Sequence, residues 1–403
     1  NDVWLADEEA GLKKSSGGNF ENLSPNSPGT GEIQNIVFQN GRIYAFGPFR
    51  TAGFSPLERN SFSIFENGQW TPQIIENFTE ASDVNGKYLA SFGEGLYDSE
   101  SNIVLTGTPL SIDSRSGRVI ITDIETTEQG LWVANYNSNN PLHLLSPDGS
   151  WQSFDLDGRA SEIIQIAASR NIWIRDDNSG ITIYNPESEI VTVVNANNSE
   201  LPSSRINDIK IDLDDEVWVA TDQGIAFFPS ASTDISNFNT AILPVFESNV
   251  LFRDEVINSI AIDPGNRKWI GNNTGAWLLE EAGESLVRRF TAENSPLPSD
   301  NVLQIAINPV NGEVFFVTER GTVSFRSDAT ESGPTHSNVK IFPNPVRPNF
   351  SGLVGINGLA TDVRLKITDI SVKLLLDIYA SVGVASWYLL ELNGNRARTG
   401  VYF

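Results

Sequence analysis

One phrase recurs along most of this chain and constrains its fold more than any single residue. It runs Ile-x-x-Ile-x-x-Asp or Asn, a turn, an aromatic-led strand, a small or polar pair, then Gly and a second apolar strand. The clearest copy reads Ile206-Asn207-Asp208-Ile209-Lys210-Ile211-Asp212, then Val217-Trp218-Val219-Ala220-Thr221, then Gly224-Ile225-Ala226-Phe227-Phe228. Another runs over 257–263, through Lys268-Trp269-Ile270-Gly271, to Gly275-Ala276-Trp277-Leu278-Leu279. The aromatic position returns at Trp4, Tyr44, Tyr88, Trp132, Trp173, Trp218, Trp269 and Phe315, in steps of 40, 44, 44, 41, 45, 51 and 46 residues. Such a period, with several short strands per unit, predicts an all-β fold built as a β-propeller. A single unit cannot bury both faces of its sheet, whereas sheets stacked face to face can.

First strands are legible at 33–38, 81–84, 119–124, 163–166, 206–211, 257–262 and 302–307, seven against eight aromatic-led second strands. The unmatched second strand is Val3-Trp4-Leu5-Ala6. Either its partner lies upstream in a longer protein, or strands from both ends of the chain share one blade. Seven blades are favoured, with eight as the alternative, and the propeller is assigned to residues 1–330.

The pattern inside a unit has a physical basis. Ile206, Ile209 and Ile211 do not alternate strictly, which suits a strand buried on both faces near a propeller axis. The second strand alternates, with Val217 and Val219 on one side and Trp218 on the other. Trp4, Trp132, Trp173, Trp218 and Trp269 are therefore assigned as structural residues that pack between neighbouring sheets. Gly11, Gly95, Gly180, Gly224, Gly275 and Gly321 each open a third strand after a polar hairpin, where a positive φ is expected.

Blades are joined by a second phrase, Asn198-Ser199-Glu200-Leu201-Pro202-Ser203 and again Asn294-Ser295-Pro296-Leu297-Pro298-Ser299. Together with Ile-x-x-Ile-x-x-Asp, Trp-Val/Ile-Ala/Gly and Gly-Ile/Leu, it resembles the two-component-regulator propeller repeat. Residues 33–110 match that repeat poorly, and 302–325 lack its Trp.

After Gly333 the composition changes. A linker at 331–338 leads into Val339-Lys340-Ile341-Phe342-Pro343-Asn344-Pro345-Val346, and Val363, Leu365 and Ile367 alternate with polar residues. That alternation predicts half-buried antiparallel strands, and residues 339–403 read as a small Ig-like β-sandwich of about six or seven strands. The order Phe-Pro-Asn-Pro, Gly-Leu, Ile-Thr-Asp-Ile, Trp, Asn-Gly, Thr-Gly-Val-Tyr resembles the C-terminal sorting domain of type IX secretion substrates. Val372 stands where that family usually has Gly, and Phe403 follows Gly-Val-Tyr where the family continues with one more strand, so the segment reads as truncated.

Composition narrows the function. The 403 residues carry a formal net charge of −24, which argues against nucleic acid and against electrostatic docking on an anionic membrane. Cysteine is absent, which excludes disulfides, zinc–thiolate sites and thiol nucleophiles. No apolar run approaches the length of a membrane helix. The chain opens inside a repeat at Asn1 without a visible signal peptide, so a segment is expected to precede it.

Catalytic material is sparse. His143 and His336 are the two histidines, too few for a multi-histidine metal site and a poor start for a Ser-His-Asp triad. Asp212-Leu213-Asp214-Asp215-Glu216 could offer oxygen ligands to calcium, but it lacks EF-hand spacing and falls on a hairpin, where a solvated turn is expected. Asp176-Asp177 reads the same way. Trp70 and Trp151 could stack on sugars or pack on blade edges, and Phe49, Arg50, Tyr136 and Arg175 are candidates to line one end of a central channel. No catalytic, cofactor-binding or metal-ligating residue is assigned.

Three functional readings follow. Propeller and sorting-like sandwich together resemble the propeller component of the type IX secretion attachment complex. That resemblance implies an exported, non-enzymatic protein of the periplasm or outer-membrane surface, with other secretion or envelope proteins and lipopolysaccharide as partners. The repeats also fit the sensor region of a hybrid two-component receptor for polysaccharide fragments. A propeller-based glycan-active enzyme is the third reading.

Overall fold

The computed structural model describes residues 1–403 apart from 1–2, 8–10, 17–18, 23–25, 29–31, 52–54, 56, 58–61, 76–77, 79–80, 161, 177–179, 234–239, 334, 337–338, 348–349, 351–353, 361–362 and 381–382. Among the described residues every regular element is a strand.

Among the described residues eight sheets of three or four strands follow one another through the repeats, with a small hairpin of Val245–Phe246 and Asn249–Val250 between the sixth and seventh. The first holds Trp4–Asp7, Gly11–Ser16 and Asn19–Asn22. The second holds Asn35–Gln39, Arg42–Phe46, Phe62–Glu66 and Gln69–Gln73, and the third Ala81–Asn85, Tyr88–Ser91, Leu96–Asp98 and Ile103–Val104. The fourth holds Ile121–Thr127, Gly130–Asn135, Leu142–Leu145 and Trp151–Phe154, and the fifth Ile163–Ala168, Ile172–Asp176, Ile181–Asn185 and Ile190–Val194. The sixth holds Ile206–Ile211, Val217–Thr221 and Gly224–Phe228, with Ile242 bridging Phe227 as the start of an outer strand. The seventh holds Ile257–Ile262, Lys268–Asn272, Gly275–Leu279 and Leu286–Phe290, and the eighth Val302–Asn308, Glu313–Thr318 and Gly321–Arg326. Seven of these sheets open on a first strand, as the phrase predicts, and each runs in simple meander order.

The chain divides into two compact units, Asn1–Ile166 with Arg320–Thr322, and Ala167–Glu319 with Val323–Phe403. The change of composition near Gly333 falls inside the second. In both units the apolar clusters lie between consecutive sheets. In the first, Phe46 and Phe62 of the second sheet pack with Val84 and Leu89 of the third, and Ala90 and Leu96 of the third with Ile121 and Val133 of the fourth. In the second, Trp173 joins Val217 and Phe228, Trp218 joins Ile257 and Ile270, and Trp269 joins Val302 and Phe316. This is the packing that makes a propeller sheet dependent on its neighbours.

Trp132, Trp173, Trp218 and Trp269 are fully buried, and Phe315 takes the same place in the eighth sheet. Trp4 departs from them. It is 51% exposed, with the Lys14 ammonium 5.4 Å from its ring. Its strand is the edge of a three-stranded sheet with no first strand beside it among the described residues, so one flank of the ring lacks the cover that its counterparts have.

The third-strand glycines answer to geometry at two clear positions. Gly275 has φ of +130°, and a Cβ there would lie 2.2 Å from the Phe290 carbonyl oxygen; at Gly180 the Val194 carbonyl oxygen would lie 2.3 Å away. Only glycine fits such a close approach of two strands. The connecting phrase is also explained. The Asn198 side chain accepts from Asn195 N–H and donates to the Val193 carbonyl, while the Ser199 hydroxyl donates to the Asn195 carbonyl. Asn294 and Ser295 repeat the same set on Thr291 and Arg289. Leu201 and Leu297, two residues beyond each serine, are buried.

Residues beyond 339 form two small sheets, Lys340–Phe342, Val354–Asn357 and Val384–Trp387 in one and Val363–Thr368 with Leu374–Ala380 in the other. They share one core that includes Val354, Ile356, Ile367, Leu375 and Trp387. Among the described residues this segment shows five strands, with single bridges at Asp369–Tyr402 and Leu390–Arg396 beside them. Val372 has φ of +65°, a conformation costly for a β-branched residue and one that Gly would adopt without strain.

Candidate functional site

The first strands carry a polar pair that the period of the phrase hides. The second residue of the strand is a β-bulge in the third, fourth, sixth, seventh and eighth sheets. A bulge turns an extra side chain out of the ladder, and in the third, fourth, sixth and seventh sheets that side chain reaches the next sheet. Ser82 donates to the Ile121 carbonyl at 3.5 Å and Thr122 to the Ile163 carbonyl at 2.8 Å. Asn207 donates to the Ile257 carbonyl at 2.8 Å and Asn258 to the Val302 carbonyl at 2.9 Å. The third residue acts in the opposite sense. Asp123 accepts from Ile166 N–H at 2.7 Å, Asp208 from Ile260 N–H at 2.8 Å and the Ser259 hydroxyl from Ile305 N–H at 3.2 Å. Each pair thus satisfies one donor and one acceptor on the following strand, bonds that a strand buried on both faces needs.

Asp83 and Asp123 bring two carboxyl groups into hydrogen-bond contact. Burial first, and then the charge of Asp123, holds Asp83 well above the usual carboxylate range. Such a pair shares one proton. Its outer lone pairs are committed to backbone: Val84 N–H donates to Asp83 at 2.8 Å and Ile124 N–H to Asp123 at 3.0 Å. The pair therefore joins sheets rather than facing a substrate.

The acidic run at 212–216 is similarly committed. Asp212 is buried and accepts from Asp214 N–H, Glu216 N–H, the Trp218 indole at 3.1 Å and the Lys268 ammonium at 2.8 Å. Asp214 accepts from Asn266, and Asp215 accepts from the hydroxyls of Ser169, Ser230 and Ser232. The turn is solvated at Leu213 and Asp214, as expected, but Asp212 is buried and the carboxylates reach neighbouring elements. No group of three or more His, Asp or Glu is placed to hold a metal ion among the described residues. Asp177 lies outside the described residues.

The aromatic candidates separate by exposure. Phe49 and Tyr136 are buried, with Phe49 packed 5.5 Å from Phe92, so neither offers a free ring face. Trp70 packs on Phe65 and Trp151 stands edge-on to His143, both half-buried on outer strands. Arg50 and Arg175 are half-buried. His143 has no exposure, and burial lowers its pKa to about 4. His336 accepts from Ala360 N–H at 3.0 Å and so ties the linker to the segment that follows.

Beside Tyr136 lies a cluster that the sequence did not mark. Asn135 pins residue 111 through both its side-chain groups, and Asp113 accepts from Ser116 N–H and Asn137. Burial opposes the charge on Asp113, yet these hydrogen bonds prevail and hold its pKa at about 2. The fixed loop presents Arg115, whose exposed guanidinium lies 5.5 Å from the Tyr136 ring centre and 2.9 Å from Glu162. A cation stacked on an aromatic and oriented by a carboxylate is a preformed polar contact for a sugar or an anionic group. Its only sequence signal is the long connection at 105–120.

The chain is similar to the solved structure of PorZ, an essential bacterial surface component of the type-IX secretion system of Porphyromonas gingivalis, at 23% identity, a TM-score of 0.69 and 98% of this chain. It is also similar to the extracellular domain of the hybrid two-component system BT4673 from B. thetaiotaomicron, at 14% identity, a TM-score of 0.53 and 99% of this chain. The chain has the two-component-regulator propeller fold. It spans 60% of the first of these structures and 62% of the second. No protein-family model and no curated protein sequence matches it. Among the described residues no helix is long and apolar enough to cross a membrane.

Proposed function

We propose that this propeller is a non-enzymatic binding and assembly protein of a bacterial envelope, exported to the periplasm or the outer-membrane surface. Its partners are other secretion or envelope proteins, with lipopolysaccharide or another polysaccharide as ligand. The division into a propeller at 1–330, a linker at 331–338 and a sandwich at 339–403 belongs to the same reading. The observation that carries it is the similarity to PorZ over 98% of the chain, which runs through the two small C-terminal sheets as well as the repeats. The commitment of the buried carboxylates to backbone and to Lys268 supports a scaffold rather than a reaction centre. Arg115 on Tyr136 is the ligand contact we assign within it.

Affinity capture from envelope extracts tests the proposal, with a glycan array beside it. Recovery of secretion components, together with glycan binding weakened by Arg115→Ala, is expected. Recovery of neither contradicts it. A receptor role is the second reading, supported by the BT4673 match over 99% of the chain. Binding of short polysaccharide fragments without any envelope protein would favour that reading.

A further inference from the structure

An acid follows the first strand in two consecutive repeats. Asp212 and Asp263 take this place in the sixth and seventh sheets, and each accepts from the indole of its own sheet, Trp218 at 3.1 Å and Trp269 at 3.3 Å. Their cations differ. Asp263 holds the Arg267 guanidinium at 2.8 Å, a group that stays protonated and offers no free amine. Asp212 holds Lys268, whose Nζ lies 2.8 Å from Oδ2 with neither side chain exposed. A lysine without any exposure is rare, and its amine, once it hands a proton to a neighbour, is a nucleophile.

The surroundings supply what an attack on the Asp212 carboxyl carbon needs. Lys268 also donates to the Asn266 carbonyl at 2.7 Å and lies 5.0 Å from the Trp218 ring centre, which fixes its nitrogen against the acid. The other carboxyl oxygen, Oδ1, accepts from the backbone N–H groups of Asp214 and Glu216, each at 2.9 Å. Two donors converging on one oxygen stabilise the negative charge that an attack places there. A third group completes the set. The Glu216 carboxyl hydrogen-bonds the same Trp218 indole, and burial, followed by the charge of Asp212, raises its pKa from the ordinary value. An acid so held can both accept and donate a proton near neutral pH.

We propose that Lys268 and Asp212 condense to an amide in the folded chain, a covalent tie between the sixth and seventh sheets. The ion pair is the arrangement from which it forms. Nζ passes one proton to Oδ2, which leaves a free amine and a neutral acid. The nitrogen lone pair attacks Cγ, and the carbonyl electron pair moves onto Oδ1, where the two N–H groups hold it. Glu216 takes a second proton from the nitrogen and delivers it to Oδ2. The Cγ–Oδ2 bond then breaks, water leaves, and the pair on Oδ1 restores the carbonyl. Ammonium and carboxylate become one amide and one water, and nothing is oxidised or reduced. Two groups held in contact reach an effective concentration on the order of 10⁵ M or more, and a site closed to solvent keeps water from reversing the bond. The inference does not depend on the function proposed above.

Mass spectrometry of the intact, denatured chain tests it. A mass one water below that of the sequence is expected, and digestion should release a branched peptide that joins the segment holding Asp212 to the one holding Lys268. Lys268→Arg keeps a cation but cannot form the amide, so its mass should equal that of its sequence, with no branched peptide. Glu216→Gln, sampled at intervals after synthesis, should form the link on the order of a hundredfold more slowly than the native chain. Full mass in the native chain, without a branched peptide, overturns the proposal. So does a loss of water that persists in Lys268→Arg, as a succinimide at Asp148-Gly149 would give, and so does a Glu216→Gln chain that links at the native rate.

Discussion

Lys268 Nζ lies 2.8 Å from Asp212 Oδ2, and neither side chain is exposed to solvent. The two residues belong to consecutive sheets, and the ammonium also lies 5.0 Å from the Trp218 ring centre. Before the aromatics at 132, 173, 218 and 315 stand Leu131, Ile172, Val217 and Val314, all buried and apolar. Lys268 replaces that apolar contact by an ion pair whose partners depend on each other. Lys268→Met leaves the Asp212 carboxylate buried without its cation, and a loss of about 3–5 kcal/mol is expected in chemical denaturation. Replacing Asp212 as well should return part of that loss, since the remaining charge is then gone.

His143 makes the fold sensitive to acid. Its pKa is lowered to about 4 by burial, and it is neutral in the folded chain over most of the pH range. The unfolded chain takes up a proton near pH 6.5, before the folded one does. Stability is therefore complete above about pH 6.5 and declines as pH falls toward 4, by up to about 3 kcal/mol. Melting temperatures measured across that window should fall in the native chain and stay level in His143→Phe.

Asp83 acts in the opposite direction. Its folded pKa is raised, so the unfolded chain loses the proton first and stability declines as pH rises from the ordinary carboxylate range through the raised value. Asp83→Asn mimics the protonated acid beside Asp123. Denaturation midpoints should show the variant gaining on the native chain with rising pH, and losing that advantage in acid.

The tryptophans should divide by burial and not by sequence position. Trp173→Ala or Trp218→Ala removes a fully buried ring between sheets and should cost about 3–5 kcal/mol. Trp4→Ala, at a half-exposed ring, should cost less than about 1 kcal/mol.

Val372 offers the reverse case. It is 78% exposed and held at a positive φ, so its side chain contributes little packing and strains the turn. Val372→Gly should stabilise the C-terminal sheets by about 1 kcal/mol or more, measured as a rise in their unfolding temperature.

Much of this architecture was legible because it repeats. Trp218 and Trp269, Gly224 and Gly275, and Asn198 and Asn294 recur at fixed places, and each place has one physical demand. The polar pairs were equally periodic, at Thr122-Asp123, Asn207-Asp208 and Asn258-Ser259, but they read as spacers between isoleucines. A bulge shifts the face of one residue, which a strand period of two does not reveal. Lys268 and Asp212 stand 56 positions apart, so their pairing is a property of stacked sheets and leaves no local pattern. Trp4 carries the repeat signal, yet its burial depends on a neighbouring strand that the phrase does not contain. Arg115 belongs to a loop with no counterpart in the other repeats, and nothing periodic could mark it.

Native-state hydrogen exchange on an Asp208→Ala variant addresses most directly the claim that first strands are bonded to one another across sheets. Asp208 of the sixth sheet accepts from the Ile260 amide of the seventh at 2.8 Å. The account predicts that protection at Ile260 falls by on the order of tenfold to a hundredfold, while amides in the outer strand Leu286–Phe290 keep theirs. Unchanged exchange at Ile260, with losses confined to the sheet that holds Asp208, would contradict it.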